Sequence, residues 1–294
     1  LYEQNLKDCR RILSPDHPDV FLFRDNLADA RRKAGELDRA IDLYEWNLDD
    51  RLRVLGPDHP DTLASRNNLA LAYESAGKLG KAIDLHKRTL ADRKRVLGSD
   101  HPDTLVSRNN LALAYQDAGR PDQAIPLFEQ NLADRERVLG PDNPDTLTSR
   151  NNLAHAYESA GRPDEAIDLF ERALADSTRG LGPDHPRTLA ARDALAGVYR
   201  ETGELDRAIP LYERSLADRL RILGADNLDT LRSRNNLAYV YQTAGRLDQA
   251  IDLFTQNLAE HERLLGPDHA LTLSALRNLA NACQEAGRID EATP

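Results

Sequence analysis

A stretch that repeats with a fixed period limits what this chain can fold into. Leu55–Gly77 reads L-G-P-D-H-P-D-T-L-A-S-R-N-N-L-A-L-A-Y-E-S-A-G, and it recurs almost unchanged three times, with a more altered copy at Leu181–Gly203. The glycines at the same place in each copy are 42 residues apart, at Gly35, Gly77, Gly119, Gly161, Gly203, Gly245 and Gly287. A fixed period of about 20–50 residues is typical of a stacked repeat array. We therefore predict units that pack on their neighbours instead of around one large core.

The first half of each unit has the signals of an amphipathic helix, here called the A helix. In the unit that starts after Gly56, Asp58 or His59 can cap the helix, and Pro60 fits its first turn because that N–H needs no partner inside the helix. Gly77 ends it. Apolar residues recur at i, i+6, i+7 and i+10, which is one face of a 3.6-residue period. They are Leu63, Leu69, Ala70 and Tyr73.

The second half of each unit predicts another helix, the B helix, with Ala82 and Leu90 on its apolar face. The connection between the two helices is short, which favours an antiparallel hairpin. No segment has the alternating pattern of a strand. We predict an all-α fold, a right-handed α-solenoid (superhelix) of antiparallel helix hairpins with about 14 helices.

The period also predicts where the units begin and end in a single array over residues 1–294. Residues 1–13 match a second helix, and 266–294 match a final A helix with a truncated B helix. The full units are 14–55, 56–97, 98–139, 140–181, 182–223 and 224–265. The sequence contains no Met and opens inside a repeat, so we expect it to be part of a longer protein.

The helix positions carry a family resemblance. The residues that match the tetratricopeptide repeat pattern are Leu69, Ala70, Tyr73, Gly77, Ala82 and Leu90. The L-G-P-D-H-P-D-T loop followed by N-N-L-A resembles the 42-residue repeats of kinesin light chain and its bacterial relatives. The resemblance covers the whole chain. It implies a scaffold that binds proteins or peptides in a concave groove lined by A helices, or a sensor module beside a signalling domain.

Net charge and cysteine content limit the classes of partner. The net charge of −10 argues against nucleic acid as the main partner, because such sites need clustered Lys and Arg. No apolar run approaches the roughly 20 residues that a membrane span requires. Cys9 and Cys283 lie at opposite ends of the array, too far apart for a disulfide. Reduced thiols favour a cytoplasmic location.

Paired asparagines in the middle of the A helices are the first candidate binding residues. A side-chain amide has two donors and an acceptor, so a row of amides can hold the backbone of an extended peptide. The second Asn of each pair is expected on the concave side and the first on its flank. The alternative is that one member bridges to the neighbouring repeat. The pairs are Asn67 and Asn68, Asn109 and Asn110, Asn151 and Asn152, and Asn235 and Asn236. Asp193 and Ala194 interrupt the series.

Positions that vary between repeats are the second group of candidates. In a repeat protein, core residues that stay the same keep the fold, while groove residues that differ between repeats would determine which ligand binds. One such position is occupied by Leu71, Leu113, His155, Gly197, Tyr239 and Asn281. Arg232, Arg234 and Tyr239 form the cluster that is least like its counterparts in the other repeats.

Repeated charged residues allow a functional and a structural interpretation. Arg66 and its copies could receive carboxylates or phosphates, or could pair with Asp50, Asp92 and their copies. Arg53 and its copies stand in the last turn of the B helices, where a cation stabilises the helix dipole. One His per loop, as at His59, would lie about 10 Å or more from the next, too far to share a metal, so a capping role is expected.

The sequence therefore predicts binding without chemistry. It contains no phosphate loop, nucleophile elbow or metal motif, so we expect no enzyme activity, no cofactor and no metal site. The main hypothesis is a groove that binds an extended protein or peptide segment. One alternative is a structural spacer that self-associates end to end. A weaker alternative is a small-ligand sensor near Tyr239.

Overall fold

The computed structural model describes Gln4 and residues 11–288, and these residues form thirteen helices and no strand. The A helices are α1 (Pro18–Lys33), α3 (Pro60–Ser75), α5 (Pro102–Asp117), α7 (Pro144–Ser159), α9 (Pro186–Glu201), α11 (Leu228–Thr243) and α13 (Ala270–Glu285). The B helices are α2 (Leu37–Leu55), α4 (Leu79–Leu97), α6 (Pro121–Leu139), α8 (Pro163–Leu181), α10 (Leu205–Leu223) and α12 (Leu247–Leu265). The predicted all-α repeat fold is confirmed.

The chain divides into two compact units, Leu1–Pro141 and Asp142–Pro294, called unit 1 and unit 2. Each unit is a solenoid of hairpins in which consecutive helices pack side by side. The helix predicted within 1–13 and the truncated B helix after 288 fall almost entirely outside the described residues, as does Cys9.

The core of each hairpin joins the apolar faces of neighbouring helices. In unit 1, Ile41 and Tyr44 of α2 pack in one cluster with Leu69 and Tyr73 of α3. Ala82 of α4 is fully buried in the same cluster, where its single methyl group permits close approach of the helices.

The loop histidines cap the A helices. The Nδ1 atom of His59 accepts a hydrogen bond from the backbone N–H of Asp61 at 3.2 Å, and His59 itself is extended, with ψ 137°. This bond satisfies one of the N–H groups that a helix start leaves without a partner. The same bond is made by His17, His101, Asn143, His185, Asn227 and His269. The predicted capping role is confirmed.

Replacing His59 by Ala should lower the free energy of unfolding by about 1 kcal/mol, since the cap bond is lost. His59→Asn should cost much less, because Asn143 and Asn227 already make this bond. Urea unfolding of the two variants measures the difference. Equal losses would show that the imidazole acts by packing.

Buried ion pairs tie five of the described A helices to the B helices that follow them. Arg66 Nη1 lies 2.6 Å from Asp92 Oδ2, and Arg66 is only 9% exposed. The same pair is formed by Arg24 and Asp50, Arg108 and Asp134, Arg150 and Asp176, and Arg192 and Asp218. These arginines are therefore structural, as the second interpretation of the series predicted.

The arginines in the last turn of the B helices have a partner that the sequence did not indicate. Arg95 binds both carboxylate oxygens of Asp58, which lies in the loop before the A helix of the same hairpin. Its hydrogen bonds and charge hold the pKa of the Asp58 carboxyl below its ordinary value. Arg95 also contacts Asp92 at 3.1 Å, so one exposed side chain links the loop to the buried ion pair.

Candidate functional site

The candidate residues lie along the A helices, where they are only partly buried. In unit 1, Asn67, Asn68 and Leu71 of α3 are half-buried. Asn109, Asn110 and Leu113 hold the same places on α5 and have the same partial exposure. Their apolar neighbours Leu69 and Ala70 point into the core and are buried. The A helices thus present amide and variable side chains at an accessible surface.

Asparagines of successive repeats bond to each other within each unit. In unit 1, Asn110 Nδ2 donates to Asn67 Oδ1 at 3.0 Å. In unit 2, Asn278 Nδ2 donates to Asn235 Oδ1, also at 3.0 Å. The second Asn of one repeat therefore donates to the first Asn of the preceding repeat, which is the bridging alternative. Asn278 was missed in the sequence because Arg277 takes the place of its Asn partner.

Of the second asparagines in the predicted pairs, two have amides that bond to no protein group among the described residues: Asn68 and Asn236. In both cases the preceding repeat carries Asp at the accepting position. Asp25 is ion-paired with Arg51 at 2.8 Å, and Asp193 with Arg219 at 2.6 Å. Burial raises the pKa of Asp25 in spite of that pair. Asn109 and Asn152, by contrast, have interaction partners.

The fifth A helix breaks the series, as the sequence predicted. Ala194 stands on α9 where an amide would donate back to α7. The Oδ1 atom of Asn151 is buried and has no hydrogen-bond partner. A row of identical amide contacts is therefore interrupted within unit 2.

In two repeats, the variable side chain beside these amides packs on an aromatic ring of the following B helix. His155 packs edge-on against Phe170 with ring centroids 4.9 Å apart and bonds to Glu158. Tyr239 packs in the same way against Phe254 at 5.3 Å, and its hydroxyl donates to Asn278 Oδ1 at 2.7 Å. Tyr239 is half-buried by these contacts, whereas the side chain of His155 remains 49% exposed.

The individual cluster predicted near Tyr239 is only partly assembled. The side chain of Arg232 is 64% exposed and lies 3.0 Å from Asp229, one turn earlier on the same helix. Arg234 is buried, and burial lowers its pKa, so its guanidinium does not reach this surface. Tyr239 instead lines an opening of about 400 Å³ with Asn278 and Asn281 of α13.

A second opening lies in unit 1. Asn68 and Leu71 of α3 line about 230 Å³ of accessible space with Asp29 and Arg32 of α1. Tyr44 of α2 forms part of the same lining. The space is small and mostly polar, and it places the amide of Asn68 beside charged groups of both signs.

A series of buried arginines was missed in the sequence. Arg93 Nη1 of α4 donates to Ser107 Oγ of α5 at 2.8 Å and to the carbonyl oxygen of Asp103 at 3.0 Å. The same arginine–serine pair joins Arg51 to Ser65 and Arg219 to Ser233. The signal was present in the residue identities, because Ser177 and His261 replace the arginine in the units where Ala191 and Ala275 replace the serine. These pairs clamp one repeat onto the next.

The described residues contain no group of three or more His, Cys, Asp and Glu side chains placed to hold a metal ion. Over the same part of the chain, every helix is too short or too polar to cross a bilayer.

Comparisons with known proteins agree with this geometry. The tetratricopeptide repeat family model matches residues 24–95, 81–137, 103–179, 167–221, 195–259 and 229–293. A putative kinesin light chain from Podosopora anserina, with nearly identical TPR-like repeats, is similar at 32% identity and a TM-score of 0.65, over 70% of this chain and 98% of that chain. No curated protein sequence matches.

Two more distant structures share the fold. BtubC (BKLC) from P. vanneervenii is 23% identical with a TM-score of 0.63, over 73% of this chain and 86% of that one. A Rap protein complexed with Competence and Sporulation Factor is 16% identical with a TM-score of 0.56, over 99% of this chain and 81% of the other. The family match, the 42-residue hairpins and the kinesin light chain-like repeats together show that the chain belongs to the tetratricopeptide repeat family, in its kinesin light chain-like form.

Proposed function

We propose that the A-helix surfaces bind an extended segment of a partner protein or peptide. Tetratricopeptide repeats are protein-interaction scaffolds in general, and the Rap protein of similar fold is complexed with Competence and Sporulation Factor. The observation that carries the proposal is the pair of amides on Asn68 and Asn236, which bond to no protein group among the described residues. Each offers donors and an acceptor to a peptide backbone.

The bonded asparagines support the same role in a different way. Asn110 and Asn67 use one donor and one acceptor on each other, so their amides are held in a fixed orientation. Each still has one amide atom that this bond does not use. Orientation fixed before binding reduces the entropy that the side chains lose on binding. Specificity would then come from the variable side chains Leu71, Leu113, His155 and Tyr239.

The test is selection from a random peptide library, followed by measurement of Kd for the selected peptide. We expect Asn68→Ala to weaken the binding of a peptide selected at unit 1, and Asn236→Ala that of a peptide selected at unit 2, each about 2- to 10-fold, since a net hydrogen bond contributes about 0.5–1.5 kcal/mol. Matched controls are Gln130→Ala and Gln256→Ala, which remove exposed amides from the B helices α6 and α12. Equal enrichment by the wild type and an Asn68→Ala, Asn236→Ala double variant would rule out the amide mechanism.

The end-to-end spacer hypothesis makes a separate prediction. If the protein is such a spacer, its mass in solution should rise with protein concentration in a sedimentation series. A binding scaffold that does not self-associate should keep one mass at all concentrations. A constant mass across the series would exclude the spacer.

A further inference from the structure

The B helix α4 of unit 1 has a basic outer face, in a chain whose net charge is −10. This helix contains six Lys and Arg residues and two Asp residues, whereas α2, α6, α8 and α12 each contain more acidic than basic residues. Of the six basic residues, Arg93 is buried and bonded to Ser107. The other five, which form the α4 basic surface, are exposed: Lys81, Lys87, Arg88, Lys94 and Arg95.

Four of these five cations form no ion pair with a described residue, and Arg95 is the exception, because it is bonded to Asp58 and Asp92. The Lys87 ammonium group lies over the ring of Tyr115, 5.5 Å from its centroid. An aromatic ring attracts a cation but has no net negative charge. The charges of the α4 basic surface are therefore largely available to an anionic partner.

Helical geometry brings most of these cations together. Lys87 and Arg88 precede the exposed Ala91 by about one turn, and Lys94 and Arg95 follow it by about one turn. Because the residue between them has only a methyl group, the space among the four cations is open to a ligand.

A groove of about 330 Å³ lies beside this surface, between α2 and α4. Leu48 and Leu52 of α2 and Leu85 of α4 line it, and Arg88 lies at the same groove. At the next junction of B helices in unit 1, Lys94 takes the place of Leu52, and Gln130 that of Arg88. The combination of an aliphatic wall and an unpaired cation is thus particular to the junction of α2 and α4 in unit 1.

We propose that the α4 basic surface binds an acidic segment of a partner protein, which places one aliphatic side chain in the groove between α2 and α4. Carboxylates of the segment complement the unpaired cations. The aliphatic side chain adds affinity because it loses apolar surface to water on binding. This surface belongs to the B helices, so it is separate from the A-helix surface of the proposed function.

A narrow segment fits this surface better than an extended anionic one. The neighbouring helices α2 and α6 present the exposed carboxylates of Glu45, Asp49, Glu129 and Glu136. A lipid bilayer or a nucleic-acid duplex placed on α4 would also meet these like charges, which repel it. A single segment that follows α4 avoids them.

The probe is a short fluorescein-labelled peptide in which glutamates surround a single leucine. In anisotropy titrations we expect saturable binding that weakens as NaCl is added, since salt screens exposed charges. Replacing the leucine by serine should weaken binding about tenfold, because the groove loses its apolar contact. Replacing the glutamates by glutamine should abolish binding. No saturable binding of the glutamate peptide, or equal binding of the glutamine peptide, would overturn the proposal.

A double variant locates the site. Lys87→Thr with Arg88→Gln gives α4 the residues that α12 has at Thr255 and Gln256, so the helix should still fold. We expect this variant to bind the glutamate peptide about fivefold more weakly, since two exposed charge contacts are lost.

The matched control is Arg172→Gln with Arg214→Gln, which makes the same change in net charge at the place of Arg88 on α8 and α10. It should leave the Kd of the peptide unchanged, and thermal unfolding checks that both variants are folded. Equal losses in the two variants would mean that net charge, and not the α4 basic surface, determines binding.

Two further measurements separate the possible partners and surfaces. If phosphatidylserine vesicles or duplex DNA bound to the wild type and not to the Lys87→Thr, Arg88→Gln variant, while the glutamate peptide failed to bind, an extended anionic partner would replace the acidic segment. A peptide whose binding depends on Asn68 should keep its Kd in the same variant. A loss there would contradict the separation of the two surfaces.

Discussion

Replacing Arg108 by Met should lower the free energy of unfolding by about 3 kcal/mol, because it leaves a largely buried carboxylate without its partner. Arg108 is 2% exposed and its Nη1 lies 2.6 Å from Asp134 Oδ2, whose side chain is 13% exposed. Losses from breaking such pairs are usually about 3–5 kcal/mol. We expect the lower end because Arg137 remains 3.3 Å from Asp134. Urea unfolding together with hydrogen exchange in α5 and α6 measures the loss.

The matched control uses the second arginine on the same carboxylate. The Arg137 side chain is 57% exposed, so Arg137→Met should cost under about 1 kcal/mol. Combining Arg108→Met with Asp134→Leu should recover much of the stability, since a well-packed apolar pair can replace a buried ion pair. If Arg108→Met cost no more than Arg137→Met, burial would not be what gives this ion pair its importance.

Asparagine should be tolerated at Gly119 and not at Gly98, although both glycines end helices. Gly119 has φ 67°, and the Arg120 N–H bonds to the carbonyl of Tyr115, which is the left-handed cap that Asn also adopts. Gly98 has φ 91° and ψ 165°, a region open essentially only to glycine. We expect Gly98→Asn to cost about 2 kcal/mol and Gly119→Asn well under 1 kcal/mol.

Steric clashes do not contribute to the difference between the two variants, because a Cβ atom at either glycine would meet nothing within 4 Å. The two losses therefore report backbone strain. Thermal unfolding of both variants, with hydrogen exchange around residues 98 and 119, gives the comparison. Similar losses at the two sites would contradict the assignment of two different glycine conformations.

The 42-residue repeat and the residues that begin and end each helix predicted most of the fold. The helix ends at Gly77 and Gly98, the His59 cap and the Arg66–Asp92 pair are all local, or recur at a fixed offset inside one hairpin. Contacts of this kind can be read directly from a 42-residue repeat, because both partners lie within one copy of it. The arginine–serine pairs, such as Arg93 and Ser107, were not predicted because each pair joins two neighbouring hairpins. In the sequence, both residues resemble ordinary polar surface residues.

The candidate surface was less predictable. Helical geometry places Asn67 and Asn68 side by side on one helix, but their bonds depend on how far each A helix is displaced from the next. That displacement is set by core packing and is not encoded in the period. Whether Asn68 has a hydrogen-bond partner also depends on the preceding repeat, in which Asp25 replaces the accepting Asn. Tyr239 and Asn278, which are bonded to each other, belong to different repeats as well.

The loop caps tolerate a change of residue but not a change of hydrogen-bond chemistry. The Nδ1 atom of His59 and the Oδ1 atom of Asn143 both accept a bond from the backbone N–H two residues later. What this position requires is an acceptor atom at one place relative to the helix start, and two unrelated side chains provide it. The repeats can therefore diverge in residue type at the cap while the starts of their A helices remain alike.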